Sequence, residues 1–190
     1  MTPGLAIRGR LVTLRTTVES DLFDYERWDD PALPAMRSDG PWYPDQSLDR
    51  VIASRRRWLA GDRKPPYRFL EVDAADRAHI GWVTAYLRRD DPHMTEFGIG
   101  IYEHDRWGGG IGTEACRLWV DYLFEAHGLA RLGFSTWSGN PGMLRIGEKL
   151  GFSIEARIRN GCEVDGRFYD RIRMGILRRE WERVRSGALP

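Results

Sequence analysis

Cysteine is nearly absent, with only Cys116 and Cys162 in 190 residues, and the four histidines stand apart at positions 79, 93, 104 and 127. That scarcity excludes a disulfide framework and leaves no metal-ligand spacing and no partner arrangement for a catalytic triad. Two packing thiols in a cytoplasmic protein without a metal are the expectation. An excess of one charge is missing too: 29 Lys and Arg stand against 28 Asp and Glu. With a net charge of +1 no long-range field draws in a polyanion, so neither nucleic acid nor an anionic membrane is an expected partner. No apolar run reaches membrane-spanning length. The first residues mix Arg8, Arg10 and Arg15 with Leu11, Val12 and Leu14, which is not the continuous apolar stretch of a signal peptide. What is present, 42% apolar and 30% charged residues, matches one soluble globular domain over residues 1–190. Eight Trp and seven Tyr are many for this length, enough to wall an apolar cleft as well as fill a core.

The periodicity divides the chain into alternating elements. Gly9 to Thr16 reads as a strand, followed by a helix through Leu22, Phe23 and Trp28 that opens on a Thr16/Glu19 capping box. Pro31, Pro34, Pro41 and Pro44 then mark a long irregular segment, a kind of loop that is often functional. Ser47 caps a second helix that ends at Gly61, with Arg55, Arg56 and Arg57 expected on its solvated face. From Tyr67 the period becomes two, and YRFLEVD, HIGWVTAYLRR and MTEFGIGIY form an antiparallel meander. A helix from Ile111 to Gly128, the strand RLGFSTW, a helix from Asn140 to Leu150 and a hairpin across Asp165-Gly166 complete the order. The predicted fold is α+β: a mixed, mostly antiparallel sheet of about seven strands flanked by helices, with one parallel crossover at Gly110 to Gly128.

The segment Arg106-Trp107-Gly108-Gly109-Gly110-Ile111-Gly112-Thr113 stands out. Four glycines in five positions open a helix just after a strand, so bare backbone N–H groups and the positive end of the helix dipole converge on one point. Hydrogen bonds to charged groups contribute about 1.5–3 kcal/mol each, so three or four such donors hold a pyrophosphate without a lysine. A nucleotide P-loop is excluded because Thr113 and Glu114 follow Gly112 where Lys-Ser/Thr is required. A dinucleotide fold is excluded because the next strand ends at Trp137-Ser138 with no acidic residue for a ribose. In the preceding EFGIGI, Phe97, Ile99 and Ile101 share one face, while Glu96, Gly98 and Gly100 share the other. Two glycines on one strand face mark a close approach, either a bulge or a flank where a thin cofactor arm lies with Glu96 near its reactive end.

EFGIGIYEHDRWGGGIGTEACRLWVDYLF, Asn140-Pro141-Gly142 and Glu148-Lys149-Leu150-Gly151-Phe152 resemble the GCN5-related N-acetyltransferases (GNAT), most closely the RimJ/RimL type and its relatives that acetylate small amines. The likeness runs from Gly9 through FYDRIRMGILRREW. It implies acetyl-coenzyme A as cofactor, its pyrophosphate on the amides from Trp107 to Thr113 beside Arg106, its pantetheine arm paired with Ile99, Gly100 and Ile101, and Asn140 with Met143 reaching the same arm. Asn140 followed by Pro141 is also an ordinary helix start. Two positions depart from the family pattern: Trp107 replaces the usual Gln or Arg, and Gly147 stands where many members carry the tyrosine that protonates the leaving thiolate. Tyr102 or water is the substitute, or no acid is needed.

A primary amine with a pKa near 10 lies about 4 kcal/mol from its free base at neutral pH. Glu96 is the candidate base, directly or through a water; the alternative is a salt bridge to Arg88 or Arg89 on the neighbouring strand. Asp39, Trp42, Tyr43 and Glu163 are the candidate contacts to a cationic acceptor, either a peptide N-terminus or a small-molecule amine. A non-catalytic acyl-coenzyme A sensor is the competing class. Strand edges and the aromatic loop offer surfaces for a homodimer.

Overall fold

A computed structural model describes residues 4–39, 47–62, 66–86 and 94–187. Their strands form one eight-stranded sheet in the order β1-β2-β3-β4-β5-β6-β8-β7. The strands are β1 (Ala6–Arg8), β2 (Val12–Arg15), β3 (Phe69–Ala74), β4 (His79–Tyr86), β5 (Glu96–Ile101), β6 (Arg131–Trp137), β7 (Ser153–Val164) and β8 (Arg167–Leu177). Every neighbouring pair is antiparallel except β5 and β6, which are parallel and joined by the crossover helix α4 (Ile111–His127). The remaining helices are α1 (Asp21–Trp28), α2 (Pro34–Asp39), α3 (Leu48–Arg57), α5 (Pro141–Lys149) and α6 (Arg178–Arg185).

α4 supplies the largest helical share of the core. Ala115, Cys116, Trp119, Val120 and Leu123 return at helical spacing and are all fully buried, against Leu14, Leu70, Ile80, Val83 and Leu132 of the sheet. Burial pushes the Cys116 thiol far up, which keeps it a neutral packing group. Gly128, left-handed at φ 62°, ends the helix. Asp165 and Gly166, both at positive φ, make the tight turn between β7 and β8, as the Asp-Gly pair predicts. No helix among the described residues is long and apolar enough to cross a membrane.

Several local expectations are corrected. The strand expected over Gly9 to Thr16 is β2, and a further short strand ahead of it, β1, pairs with it and raises the count from about seven strands to eight. The Thr16/Glu19 capping box does not form: α1 begins at Asp21, and the Asp21 carboxylate takes the Val18 N–H at 2.8 Å while paired with Arg15. Ser47 precedes α3 without a side-chain cap bond. α2 lies inside the stretch read as irregular. Arg55 is not solvated but 8% exposed, its guanidinium 3.9–4.7 Å from the ring centroids of Phe69, Trp58 and Tyr25.

That arginine belongs to a buried polar network. Glu71, fully buried, accepts hydrogen bonds from Thr17 (2.6 Å) and Tyr25 (2.7 Å) and lies 3.2 Å from His79 Nε2. Burial lowers the His79 pKa, but the carboxylates of Glu71, Asp21 and Asp24 outweigh it and the net shift is upward. Asp21, Glu71 and His79 place one ligand atom each within 4.8 Å of one another. Both carboxylates already serve Arg15, Thr17 and Tyr25, so the cluster reads as an ion-pair network joining α1 and α3 to the sheet.

Candidate active site

β5 and β6 meet at one paired position, Glu96 with Gly133, and nowhere further along. On its other side β5 pairs with β4 along its whole length. Tyr102 N–H donates to Ile80 C=O at 2.9 Å, so by strand alternation Gly98 and Gly100 turn their backbone groups toward β4. Ile99 and Ile101 then turn theirs toward the gap where β6 parts from β5. The parting strands therefore leave an edge of backbone donors and acceptors that β6 does not satisfy.

The glycine flank of β5 is not bare, contrary to the sequence-based reading. A Cβ on Gly100 would come 3.0 Å from the Trp82 indole, and one on Gly98 would come 3.2 Å from the Tyr86 hydroxyl. Cross-strand aromatics of β4 fill the space that the missing side chains vacate. The open approach is thus the edge of β5 and not its face.

Beyond β5 the chain makes a short turn at His104–Arg106 and enters the glycine loop. Gly108 (φ 83°) and Gly110 (φ 88°) are left-handed, a conformation that favours glycine. α4 starts at once, and its first intrahelical bond runs from Glu114 N–H to Gly110 C=O at 2.9 Å. Helix geometry leaves the N–H groups of Gly110, Ile111, Gly112 and Thr113 without partners in the helix. The Trp107 indole donates to Ile101 C=O at 3.0 Å and pins the loop to the end of β5. Arg106 is turned to Asp76, 2.9 Å away. A cavity of about 260 Å³ opens here between Gly109, Gly110, Thr113 and the cations Arg10, Arg117 and Lys149.

Glu114 was not foreseen as part of this region. Its carboxylate accepts the backbone N–H groups of Arg10 (3.1 Å), Leu11 (2.5 Å) and Val12 (2.9 Å), clamping the β1–β2 turn onto the helix that carries the loop. A second clamp lies at the end of α1, where Arg27 and Trp28 both donate to Glu103. The Arg27 guanidinium holds the Glu103 carboxyl below the usual carboxylate range.

A larger cavity of about 760 Å³ is lined by residues of both β5 and β6. Its walls include Gly98, Ile99, Ser135, Asn140 and Met143 at one end and the rings of Tyr25, Trp28, Trp58, Trp82 and Tyr102 at the other. Asp29 is the one carboxylate and Arg55 the one guanidinium among the described residues lining it. Burial pushes the Tyr25 phenol well above its ordinary range, aided by the Glu71 carboxylate, so Tyr25 is a donor and not a base. Tyr102 is stacked on Trp28 with centroids 4.5 Å apart, and its hydroxyl accepts from the Trp82 indole at 3.3 Å.

Glu96 opens β5, half-buried. The Ser135 hydroxyl on β6 lies 3.0 Å from both carboxylate oxygens, and Arg173 Nε on β8 lies 3.8 Å from one of them. Arg88 and Arg89, the partners weighed for Glu96, lie outside the described residues. Asn140 Oδ1 accepts the Met143 N–H at 2.9 Å as a helix cap, and its Nδ2 donates to Ser38 C=O at 3.1 Å. The Trp137 indole donates to that same carbonyl, tying α2 to the cavity mouth. Gly147 is buried: a Cβ there would sit 2.7 Å from Phe134 and 2.8 Å from the Met174 sulfur, so the position points into the core and has no room for a tyrosine. Of the expected acceptor contacts, Glu163 is exposed near the tip of the β7–β8 hairpin and does not line the cavity. Trp42, Tyr43 and the side chain of Asp39 lie outside the described residues.

An open β5 edge, a glycine loop on a helix N-terminus and a cavity lined by Gly98 and Ile99 of β5 together form one candidate site. The chain belongs to the GNAT acetyltransferase family: the family model described as an acetyltransferase (GNAT) domain matches residues 11–153. It is an acyltransferase, and acetyl-coenzyme A is the cofactor of that family. The amides at the start of α4, which have no partner within the helix, and the stretch of the β5 edge that β6 does not pair fit such a group. The chain is 27% identical over 175 residues to YokL of Bacillus subtilis (strain 168), an uncharacterized N-acetyltransferase of the SPbeta prophage, covering 92% of this chain and 94% of YokL. YdaF of the same organism, whose name places it provisionally among ribosomal N-acetyltransferases, is 37% identical over 75 residues, 40% of this chain and 41% of YdaF. Among solved structures, a spermidine N-acetyltransferase from Vibrio cholerae in complex with CoA and spermine superposes with a TM-score of 0.71 at 22% identity, covering 92% of this chain and 99% of that one.

Proposed function

We propose that this chain, acting as one domain over residues 1–190, moves the acetyl group of acetyl-coenzyme A to a primary amine by direct attack in a ternary complex. The observation that carries the reading is the single paired position between β5 and β6, because it opens a backbone edge that runs from the glycine loop to the large cavity. The amides from Trp107 to Thr113, those of Gly108, Gly109, Gly110, Ile111 and Gly112 among them, would hold the pyrophosphate. Ile99 and Ile101 would hold the arm along Gly100, beside Asn140 and Met143. Arg106, held by Asp76, shapes the loop more than it touches the ligand. Bound acetyl-coenzyme A supplies the thioester, and the residues of this chain do the rest.

Glu96 accepts the proton that a cationic amine must lose before it attacks, a free-energy gap of about 4 kcal/mol at neutral pH. Polarisation of the thioester carbonyl falls to the β5 amides near Ile99 to Ile101. With Gly147 packed into the core, α5 supplies no tyrosine to protonate a leaving thiolate, and such a proton, where one is needed, would come from water or Tyr102.

RimJ/RimL-type chemistry on an amine acceptor is the finer assignment. The likeness to YdaF supports a peptide N-terminus and the spermidine enzymes support a small amine. Aromatic walls favour a cationic amine through ring faces in either case. Two free thiols, one fully buried, accord with a cytoplasmic setting. The exposed Ile154, Ile158 and Phe168 of the β7–β8 hairpin offer a surface for a homodimer. Thiol release from acetyl-coenzyme A, followed with peptides, polyamines and aminoglycosides, tests the reading. Turnover with one class assigns the acceptor, whereas tight coenzyme A binding with no turnover on any amine replaces the enzyme by a sensor.

A further inference from the structure

Glu96 does not line the large cavity, and Ser135 does. The Ser135 hydroxyl lies 3.0 Å from both oxygens of the Glu96 carboxylate. We propose that Ser135 is a catalytic proton relay: its oxygen meets the ammonium of the acceptor in the cavity and its own proton passes to Glu96. The proposal rests on the reading of Glu96 as base and supplies the contact between that base and the substrate.

The geometry follows from the sheet. Glu96 pairs with Gly133 in parallel register, so the residue two places beyond Gly133 on the same face of β6 is Ser135. Phe134 and Thr136, on the alternate face, are buried, which leaves Ser135 turned to the open side. A carboxylate set back from the cavity needs one intermediary within hydrogen-bond reach, a place that water fills in many general-base mechanisms. Here a side chain holds it.

The step balances without a further reactant. One N–H bond of the ammonium breaks as an O–H bond forms on Ser135. The original Ser135 O–H bond breaks as an O–H bond forms on Glu96. The amine becomes neutral, the serine is neutral before and after, and the carboxylate becomes a carboxylic acid. A serine hydroxyl is far too weak a base to hold the proton alone, so the two transfers are concerted.

Charged groups face Glu96 from the neighbouring strands. Arg173 approaches from β8 to 3.8 Å. Arg131, on β6, feels the charge of Glu96 and is itself bound by Glu155 of β7. On the β4 side the residue in register is Tyr86. Ser135 is the neutral path between the Glu96 carboxylate and the cavity.

The test compares Ser135→Ala, Ser135→Thr, Glu96→Gln and the double variant by thiol release from acetyl-coenzyme A. The amines are spermidine, 2-phenylethylamine and an alanine-initiated peptide. Expected are a fall in kcat of at least about tenfold for Ser135→Ala with KM within about twofold, and recovery to within about fivefold for Ser135→Thr. Glu96→Gln falls about a hundredfold, and the double variant falls no further than Glu96→Gln alone, because both groups act in one step. A proton inventory in mixed H₂O and D₂O curves for the wild type and straightens in Ser135→Ala, a change that a merely structural serine would not produce. If Glu96→Gln falls while Ser135→Ala stays within twofold, or if the two effects multiply, the relay is overturned and the base stands. If Glu96→Gln keeps full activity, or no amine releases thiol, the base or the acetyl transfer is overturned and the relay goes with it.

Discussion

Replacing Glu114 by alanine removes an acceptor that three consecutive backbone N–H groups share, those of Arg10, Leu11 and Val12. Hydrogen bonds to a charged acceptor contribute about 1.5–3 kcal/mol each, but the Arg10 bond is exposed and water takes it over at little cost. The other two are part-buried and recover water only if the β1–β2 turn lifts away from α4. We therefore expect a loss of about 3 kcal/mol of unfolding free energy, a drop in Tm of about 6–12 °C for a domain of this size. Glu114→Gln keeps one carbonyl acceptor but turns an amide N–H toward the donors, and loses about half as much. The turn also walls the cavity beside Gly109 and Gly110, so coenzyme A affinity falls in parallel. Urea unfolding followed by circular dichroism gives the first quantity and calorimetric titration with coenzyme A the second. An alanine variant within about 0.5 kcal/mol of wild type, the range of an ordinary surface substitution, would refute the clamp.

Gly110→Ala forces a side chain into the left-handed region at φ 88° and costs about 1–2 kcal/mol, with weaker coenzyme A binding measured by the same titration. Gly147→Tyr, which restores the tyrosine common in the family, overpacks Phe134 and Met174 and lowers Tm without raising kcat, as thermal melts beside thiol-release assays will show. His79 has its pKa raised above 6.5 in the folded protein, so its contribution to stability is fully present below the unfolded value and is lost as pH rises through the folded one. Urea unfolding from pH 6 upward should accordingly fall more steeply for the wild type than for His79→Gln; equal slopes would remove the histidine from the network. Tyr25→Phe leaves the buried Glu71 short of one donor and costs about 1–3 kcal/mol in the same unfolding assay.

The parts of the site that local patterning specifies were readable in the chain. Four glycines ahead of an apolar helical period place a loop and a helix N-terminus together, and the crossover makes β5 and β6 parallel neighbours. Register was not readable: Ser135 meets Glu96 only because Glu96 pairs with Gly133, and nothing within RLGFSTW states that pairing. Glu114 looks like an ordinary acidic residue in a first helical turn, and its three partners lie more than a hundred positions away. Arg55 sits in a run of three arginines whose composition predicts solvent, yet three ring faces and Glu71 outweigh that prior. At α1, Asp21 displaced the expected Thr16 cap because its carboxylate reaches both Arg15 and the Val18 N–H. For Ser135, Glu114 and Arg55 the deciding contact is made by chain folding back from afar, whereas at Asp21 one local side-chain bond replaced another.

Amide chemical shifts of the ¹⁵N-labelled protein, followed during titration with coenzyme A, report residue by residue where the cofactor lies. The largest changes are expected on Ile99, Ile101 and the stretch from Trp107 to Thr113, along the β5 edge and the head of α4. Saturating shifts confined to other strands, with those amides unmoved, would contradict that placement.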